Sequence, residues 1–267
     1  MTQPINRFIA LLSIILLAGS TIQAQCTYTN NTFQGGETLQ YDLYFKYGLV
    51  YTKAGSGYLQ TTDSKYSGKE AYKMDLITAS SGALRKLFEL NDTLSCYMSK
   101  QLTPLAYFKN AHEGGDYTKE KLYYSYANSK VNISTTRHKN GDKKFSDNLT
   151  VDQCTYDFLS VVFFARALNY SGMKVNSRTR ISFISGRDRQ NMDILYEGTE
   201  NIKANDSKTY KCYKLSLITS DNAFQNQKEA MKIYITADEN KVPVRMDTSL
   251  KIGSMRVMLR SSKGLRN

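Results

Sequence analysis

The sequence predicts a mainly β protein, built as a curled antiparallel β-roll or barrel-like sheet with one buried helix. Apolar and polar residues alternate along many short segments, which is typical of half-buried strands. Turn-forming pairs such as Asn140-Gly141 separate these segments. One segment, at about 155–168, is instead apolar on nearly every face, which is typical of a buried helix.

The alternating pattern places the strands in order along the chain. In the first, Leu39, Tyr41 and Leu43 alternate with Gln40 and Asp42. The gaps between segments suit hairpins better than helical crossovers, so we expect antiparallel pairing. The predicted strands are 37–47, 71–78, 117–126, 130–136, 179–184, 210–218, 229–236 and 255–260.

The helix at about 155–168 needs cover on all sides, so we expect it on the concave face of the curled sheet. Asp157 is placed to cap its first turn. Arg166 is the only basic residue of the segment, and we expect it either to be paired or to emerge at the last turn. Both residues are predicted to be structural rather than catalytic. A weaker pattern predicts a short peripheral helix at about 81–90.

Two prolines mark further strand starts. In both cases an aspartate, Asp92 or Asp238, precedes a turn, and Pro104 or Pro243 then begins the next apolar segment. A proline at the first residue of a strand removes no ladder hydrogen bond, so both are predicted to be structural.

The N-terminal segment predicts export. Arg7 precedes an apolar run, 8–19, and small or polar residues follow, which is the order of a cleavable signal peptide. We therefore expect residues 1–24 to be removed and 25–267 to form a single β-roll domain in the periplasm or at the cell-envelope surface. The run is shorter than the roughly 20 residues of a spanning helix, so no membrane span is expected in the mature chain. Acylation of Cys26 is an alternative, but Gln25 is larger than the residue that such a signal prefers.

The mature chain would carry four cysteines into an oxidising compartment, a number that suits two disulfides. Three pairings exist, and buried free thiols are the alternative. We favour Cys154 with Cys212, which would tie the helix to the sheet, and Cys26 with Cys96.

The composition argues against several kinds of site. The 267 residues include 2 histidines and no tryptophan, and no nucleophile–base or metal-ligand motif appears. We therefore predict no cofactor, no metal and no catalytic residue. The formal net charge of +12 favours anionic partners. In an exported protein these would be an anionic lipid or a glycan of the envelope rather than nucleic acid, and a merely solvated basic surface is the alternative.

Six motifs, in order along the chain, resemble the exported bacterial family catalogued as domain of unknown function 3108. That resemblance implies a mainly antiparallel β-roll and no established activity. The motifs are Phe33-Gln-Gly-Gly-Glu37-Thr-Leu-Gln-Tyr41, Ala54-Gly-Ser-Gly57, the Pro104 hairpin, Tyr156-Asp157-Phe-Leu-Ser160 with Ala165-Arg166, Tyr210-Lys-Cys212, and Asp238 followed by Pro243-Val-Arg245 and Gly253.

These observations favour a non-enzymatic envelope protein that binds a lipid or glycan component. Two alternatives remain open. A hydrolase acting on envelope polymers would draw on scattered carboxylates, of which the candidates are Glu37, Asp42, Glu113 and Asp157. An assembly or interaction protein would present a large exposed apolar patch. The sequence does not indicate an oligomeric state.

Overall fold

The computed structural model describes residues 26–82, 85, 89–219, 231–250 and 253–267. Within them fifteen strands form one sheet, and one helix, α1, spans Ser160–Ala167. The predicted fold class is confirmed. Half of the peripheral helix predicted at about 81–90, residues 83–84 and 86–88, lies outside the described residues. The strands are β1 Thr38–Tyr47, β2 Val50–Tyr66, β3 Lys69–Ser80, β4 Leu90–Ser99, β5 Pro104–Glu113, β6 Asp116–Ala127, β7 Lys130–Lys139, β8 Asp142–Val151, β9 Thr155–Tyr156, β10 Arg178–Ser185, β11 Asp188–Lys203, β12 Thr209–Thr219, β13 Met231–Thr236, β14 Pro243–Ser249 and β15 Ser254–Lys263.

The sheet is a meander that almost closes on itself. Its strand order is β8-β7-β6-β5-β4-β3-β2-β1-β15-β14-β13-β12-β11-β10-β9, so pairing of β1 with β15 joins the two ends of the chain. The edge strands, β8 and β9, are consecutive in sequence. The hydroxyl of Thr135 on β7 donates to the carbonyl oxygen of Gly186, in the β10–β11 turn, at 2.9 Å. This bond crosses the seam between the two edges and holds it nearly shut.

All eight predicted segments overlap strands, and the two prolines begin β5 and β14 as predicted, but neither signal included β2, β4, β8, β9 and β11. Strand β2 shows one reason, because small residues replace the expected apolar ones. A Cβ atom at Gly55 would lie 2.2 Å from the carbonyl oxygen of Ala79 on β3. The close approach of the two strands therefore requires glycine, and glycine carries no hydrophobic signal.

The helix is shorter than predicted. Thr155 and Tyr156 form β9, which pairs with β10 in parallel, and the helix begins only at Ser160. The side chain of Thr155 lies 2.9 Å from the hydroxyl of Ser182 on β10. The sheet thus supplies partners for a segment whose apolar character fits a buried strand as well as a buried helix.

Aromatic contacts fix α1 inside the curl of the sheet. The ring of Phe163 lies 5.0 Å from that of Phe33, in the segment before β1, and Phe164 lies 4.8 Å from Tyr28 and 4.6 Å from Tyr156. The helix and the segment 26–37 therefore close one end of the roll, which we call the closed end. The opposite end, where β1–β2, β5–β6 and β7–β8 turn, is the open end.

The disulfide pairing predicted from the sequence is wrong. Cys26 is bridged to Cys154, with Cα atoms 5.2 Å apart, and Cys96 and Cys212 are buried free thiols. The observed pairing follows from the path of the N-terminal segment, which crosses the closed end. There the carbonyl oxygen of Cys26 accepts a hydrogen bond from the hydroxyl of Thr103. The segment therefore brings Cys26 to the residues that lead into β9.

The bridge also excludes the lipid-anchored alternative. An acylated N-terminal cysteine carries its lipid on sulfur, and the sulfur of Cys26 is bonded to that of Cys154. Cys26 is moreover almost completely buried.

Candidate functional site

Five charged side chains line a cleft of about 230 Å³ inside the open end. We call it the charged cleft, and its five residues are Asp92, Lys109, Glu113, Glu120 and Arg137. They project from β4, β5, β6 and β7 onto the concave face, which is otherwise apolar. Charged groups are rarely placed on such a face without a reason, because their desolvation is costly.

The strand register explains why these residues meet. Lys109 on β5 lies opposite Leu94 on β4, Glu120 on β6 lies opposite Lys109, and Arg137 on β7 lies opposite Glu120. Four neighbouring strands thus place one row of side chains across the cleft.

Two ion pairs organise this row. The Nε atom of Arg137 donates to Oε2 of Glu120 at 2.6 Å, and Nζ of Lys109 lies 3.0 Å from Oε1 of Glu113. Glu120 is buried. A Cβ atom at Gly186 would lie 3.0 Å from the guanidinium of Arg137, so the β10–β11 turn packs against that guanidinium. The fold therefore fixes both basic groups in place.

Asp92 is the least satisfied group of the cleft. It is 6% exposed, and its Oδ1 atom has no hydrogen-bond partner in the described chain. Burial and the neighbouring charge of Glu113 raise the pKa of Asp92 to about 7, although Lys109 opposes the shift. The carboxyl of Asp92 is also in hydrogen-bonding contact with that of Glu113. Asp92 therefore offers a polar atom that a ligand could satisfy, and its charge changes near neutral pH.

Aromatic and aliphatic side chains form the remaining walls. Phe158 lies just before α1 and is 41% exposed, while Phe183 and Tyr107 are buried behind the cleft. Leu76 and Leu94 complete this apolar side. The cleft thus combines a few fixed polar groups with an aromatic face, as small-molecule sites do.

A second cleft, of about 400 Å³, also lies at the open end. Its lining includes Lys46, Tyr51, Lys232, Met255 and Arg256 from β1, β2, β13 and β15. The adjoining segments, 220–230 and 251–252, lie outside the described residues. All the walls identified for the charged cleft are described, so we take that cleft as the candidate ligand site.

Asp157, just before α1, is not among the residues that line the charged cleft. Its Oδ1 atom accepts bonds from the N–H groups of Leu159 at 3.0 Å and Ser160 at 2.9 Å, and Ser160 Oγ accepts from the N–H of Asp157. Burial raises the pKa of Asp157, and hydrogen bonds from Ser160, Leu159 and Tyr124 oppose that rise. These contacts form a reciprocal cap.

Arg166 is fully buried at the closed end and lines neither of the two clefts. Its guanidinium donates to both carboxylate oxygens of Glu37 and to the carbonyl oxygens of Asn240 and Lys241. This is the pairing that a buried guanidinium requires. Pro104 and Pro243, the two other residues predicted to be structural, are the first residues of β5 and β14.

The four carboxylates considered for hydrolysis do not converge. Glu37 binds Arg166, Asp157 caps α1, and Asp42 pairs with Lys53 at 2.6 Å. Glu113 alone lines the charged cleft. Its partner there, Asp92, was missed in this role. The sequence does contain a signal for this role. On β4, Asp92 occupies one of the alternating positions that are otherwise apolar, which are Leu90, Leu94, Cys96 and Met98.

Metal and membrane-spanning features are not found in the described part of the chain. No group of three or more His, Cys, Asp or Glu residues there is arranged to hold a metal ion. His112 instead stacks on Tyr117, with ring centroids 4.3 Å apart. Within the same residues, no helix has the length and apolar character needed to cross a bilayer.

A solved structure shares the fold at low sequence identity, and two further structures superpose less well. A β-barrel-like protein of the domain of unknown function DUF1849 from Brucella abortus superposes with a TM-score of 0.58 at 10% identity, covering 85% of this chain and 96% of its own. A proposed exported protein with a YmcC-like fold from Bacteroides fragilis reaches a TM-score of 0.37 at 9% identity, covering 89% and 100%. A proposed lipoprotein from Parabacteroides distasonis reaches 0.31 at 11% identity, covering 89% and 99%.

No curated protein matches the chain. A family model does: the one described as protein of unknown function DUF3108 matches residues 40–260. This span is most of the chain and includes every strand of the sheet in whole or in part. The chain therefore belongs to the DUF3108 family.

Proposed function

We propose that this protein is an exported, non-enzymatic β-roll that binds a small hydroxyl-bearing unit of an envelope component, such as one sugar of a glycan, in the charged cleft. The observation that carries the proposal is the Oδ1 atom of the buried Asp92, which has no hydrogen-bond partner among the described residues. A buried carboxylate oxygen that lacks a protein partner is satisfied by a ligand that donates hydrogen bonds.

The chemistry of the cleft favours a sugar over a lipid tail. Carboxylates accept bonds from hydroxyl groups, Lys109 and Arg137 donate to ring or acetamido oxygens, and Phe158 provides a surface for the apolar face of a ring. The apolar interior of the described chain is instead filled by α1 and the core side chains. The contacts of the charged cleft therefore support binding of a sugar and do not support binding of an acyl chain in the interior.

Export is the location that the disulfide supports. A bridge between Cys26 and Cys154 persists in oxidising compartments and is rare in the cytosol. The signal peptide expected at 1–24 lies outside the described residues. We therefore propose that the protein functions in the periplasm or at the envelope surface.

A hydrolase is the second candidate, because a carboxyl with a pKa raised to about 7 suits a general acid. The geometry favours it less. Glycosidases separate their two carboxyl groups by roughly 5–9.5 Å. Asp92 and Glu113 are in direct contact instead, as in a pair that shares one proton.

The test is titration of the isotopically labelled mature chain with chitotriose and with glucosamine, followed by NMR. We expect saturable shifts at the five charged residues of the cleft. Replacing one hydrogen-bonding carboxylate, in Asp92→Asn, should weaken binding by about tenfold or more. The control is Asp152→Asn, because the side chain of Asp152 is 83% exposed near the seam.

Three results would contradict the proposal. If neither saccharide produces saturable shifts, the cleft does not bind glycans. Equal affinities for Asp92→Asn and the parent chain would place the ligand elsewhere. Cleavage of chitotriose that is lost in Asp92→Asn would replace binding by hydrolysis.

A further inference from the structure

The hairpin between β1 and β2 exposes an unusual cluster of apolar side chains at the open end. Leu49 is fully exposed, at 105% of its reference area, and its neighbours Tyr47, Val50 and Tyr51 are 51–59% exposed. Leu250, in the adjacent β14–β15 hairpin, is also exposed. We call these five residues the apolar tip.

The fold itself does not require these residues. Tyr47 pairs with Val50, so Gly48 and Leu49 form a two-residue turn. Gly48 has a positive φ of 55°, which meets the conformational need of the turn. A polar residue would serve equally at Leu49, since hairpin turns are usually polar. The apolar choice points to a partner.

The tyrosines give the tip a fixed, amphipathic base. The rings of Tyr44 and Tyr51 stack with centroids 5.3 Å apart and an interplanar angle of 9°. The hydroxyl of Tyr44 accepts a bond from Asn205 at 2.9 Å. Tyrosine combines an apolar ring with a polar end, which suits the boundary between headgroups and acyl chains.

Basic residues surround the tip on the neighbouring strands. In the described chain the basic rim consists of Lys46, Lys53, Lys232, Arg245 and Arg256. Lys53 pairs with Asp42, and Arg245 and Arg256 pair with Asp247, so the five positive charges exceed the two negative ones. Lys46 is exposed, makes no ion pair within the described residues, and lines the second cleft. An apolar tip with a basic rim matches a surface that is apolar inside and negatively charged outside.

We propose that the open end docks on an anionic lipid bilayer, with Leu49, Val50 and Leu250 inserted below the headgroups and lipid phosphates at the basic rim. A second copy of this chain fits less well, because it would bring two basic ends face to face. The proposal does not depend on sugar binding in the charged cleft. If both hold, the mouth of that cleft faces the membrane.

Insertion can be observed directly, because the chain contains no tryptophan. The variant Leu49→Trp places a single reporter at the tip, and Val175→Trp is the matched control. Val175 is 58% exposed on the connection between α1 and β10, at the other end of the roll. With vesicles of phosphatidylcholine and phosphatidylglycerol, we expect a blue-shifted emission and quenching by brominated lipid for Leu49→Trp only.

Vesicle flotation of the mature chain gives the energetic test. In Leu49→Asp a charged side chain replaces the leucine that would be buried below the headgroups. Binding to vesicles should therefore weaken by about tenfold or more. Val175→Asp should bind like the parent chain, and so should Asp92→Asn, which alters only the charged cleft. Raising sodium chloride from about 0.05 M to about 0.5 M should release the protein, because salt screens the basic rim.

Four results would overturn the proposal. They are equal emission changes in Leu49→Trp and Val175→Trp, equal binding to vesicles of pure phosphatidylcholine, unchanged binding of Leu49→Asp, and a solution dimer that Leu49→Asp dissociates. The last would identify the tip as a contact between copies. Since Leu49 is fully exposed, we expect Leu49→Asp to keep the melting temperature of the parent chain. An unchanged melting temperature would show that a loss of vesicle binding does not result from unfolding.

Discussion

Arg166 and Glu37 form a bidentate ion pair at the closed end, although 129 residues separate them in sequence. The Nη1–Oε1 distance is 2.6 Å and the Nη2–Oε2 distance is 2.8 Å, and each side chain is 1% exposed. The guanidinium also lies 5.2 Å from the ring centroid of Phe33. One contact thus joins α1 to the segment that enters the first strand.

Breaking this pair on one side should be costly. In Glu37→Gln the buried guanidinium keeps its charge but loses its counterion, so we expect the free energy of unfolding to fall by about 3–5 kcal/mol. Urea unfolding followed by circular dichroism measures the change. The double variant Glu37→Met with Arg166→Met leaves no buried charge and should lose less than Glu37→Gln.

The control for that experiment is an exposed pair. Lys65 and Glu70 lie 3.6 Å apart, with side chains 69% and 64% exposed. Glu70→Gln should change the free energy of unfolding by less than about 1 kcal/mol. Equal losses in Glu37→Gln and Glu70→Gln would show that the buried pair contributes no more than a surface pair.

Asp157 should act through its hydrogen bonds rather than through a reaction. Asp157→Ala leaves the N–H groups of Leu159 and Ser160 without a side-chain acceptor, so we expect a loss of about 1–3 kcal/mol in the free energy of unfolding. Asp157→Asn keeps one acceptor oxygen and should lose less. A larger loss in Asp157→Asn than in Asp157→Ala would contradict the capping role.

The Cys26–Cys154 bridge closes a loop with a sequence separation of 128 residues. Cys26→Ser combined with Cys154→Ser should lower the free energy of unfolding by up to about 5 kcal/mol, since the unfolded chain gains loop entropy. Non-reducing peptide mapping should join these two cysteines only. Cys96 and Cys212 should react with iodoacetamide after denaturation but not before, and fast labelling of the native protein would contradict their burial.

The pH dependence of stability should carry the signature of Asp92. Its folded-state pKa is raised to about 7. Between its unfolded and folded pKa values the native state therefore binds more protons, and stability falls as pH rises through this window. From pH ~5 to pH ~8 we expect a loss of about 1–3 kcal/mol, reduced from the full shift because the open cleft admits water.

The matched variant for this prediction is Asp92→Asn, which cannot titrate. Its melting temperature should exceed that of the parent at pH ~8 and approach it at pH ~5, because only the ionised carboxylate is penalised by burial. The lowered pKa values of Asp42, Asp193 and Asp247 act at more acidic pH, where stability is lost as pH falls. A parent and a variant with parallel pH profiles would contradict the assignment to Asp92.

The local features of this protein could be predicted from its amino-acid pattern. Alternation with period two identified strands such as 37–47 and 130–136, and the apolar run around Phe163 identified the buried helix, because both patterns arise from which side of a segment faces water. The amino-acid pattern also indicated that Arg166 needs a partner, since a charge on an apolar helix has few other outcomes.

The contacts between residues that are distant in sequence could not be predicted in this way and required the folded sheet. The partner of Arg166, the pairing of Cys26 with Cys154 and the gathering of Asp92 with Glu120 all depend on strand register and on the path of the N-terminal segment across the closed end. These relationships are set by packing energies summed over the whole sheet, and many pairings satisfy the same local pattern. The charged cleft and the apolar tip therefore became visible only when the strands were placed side by side.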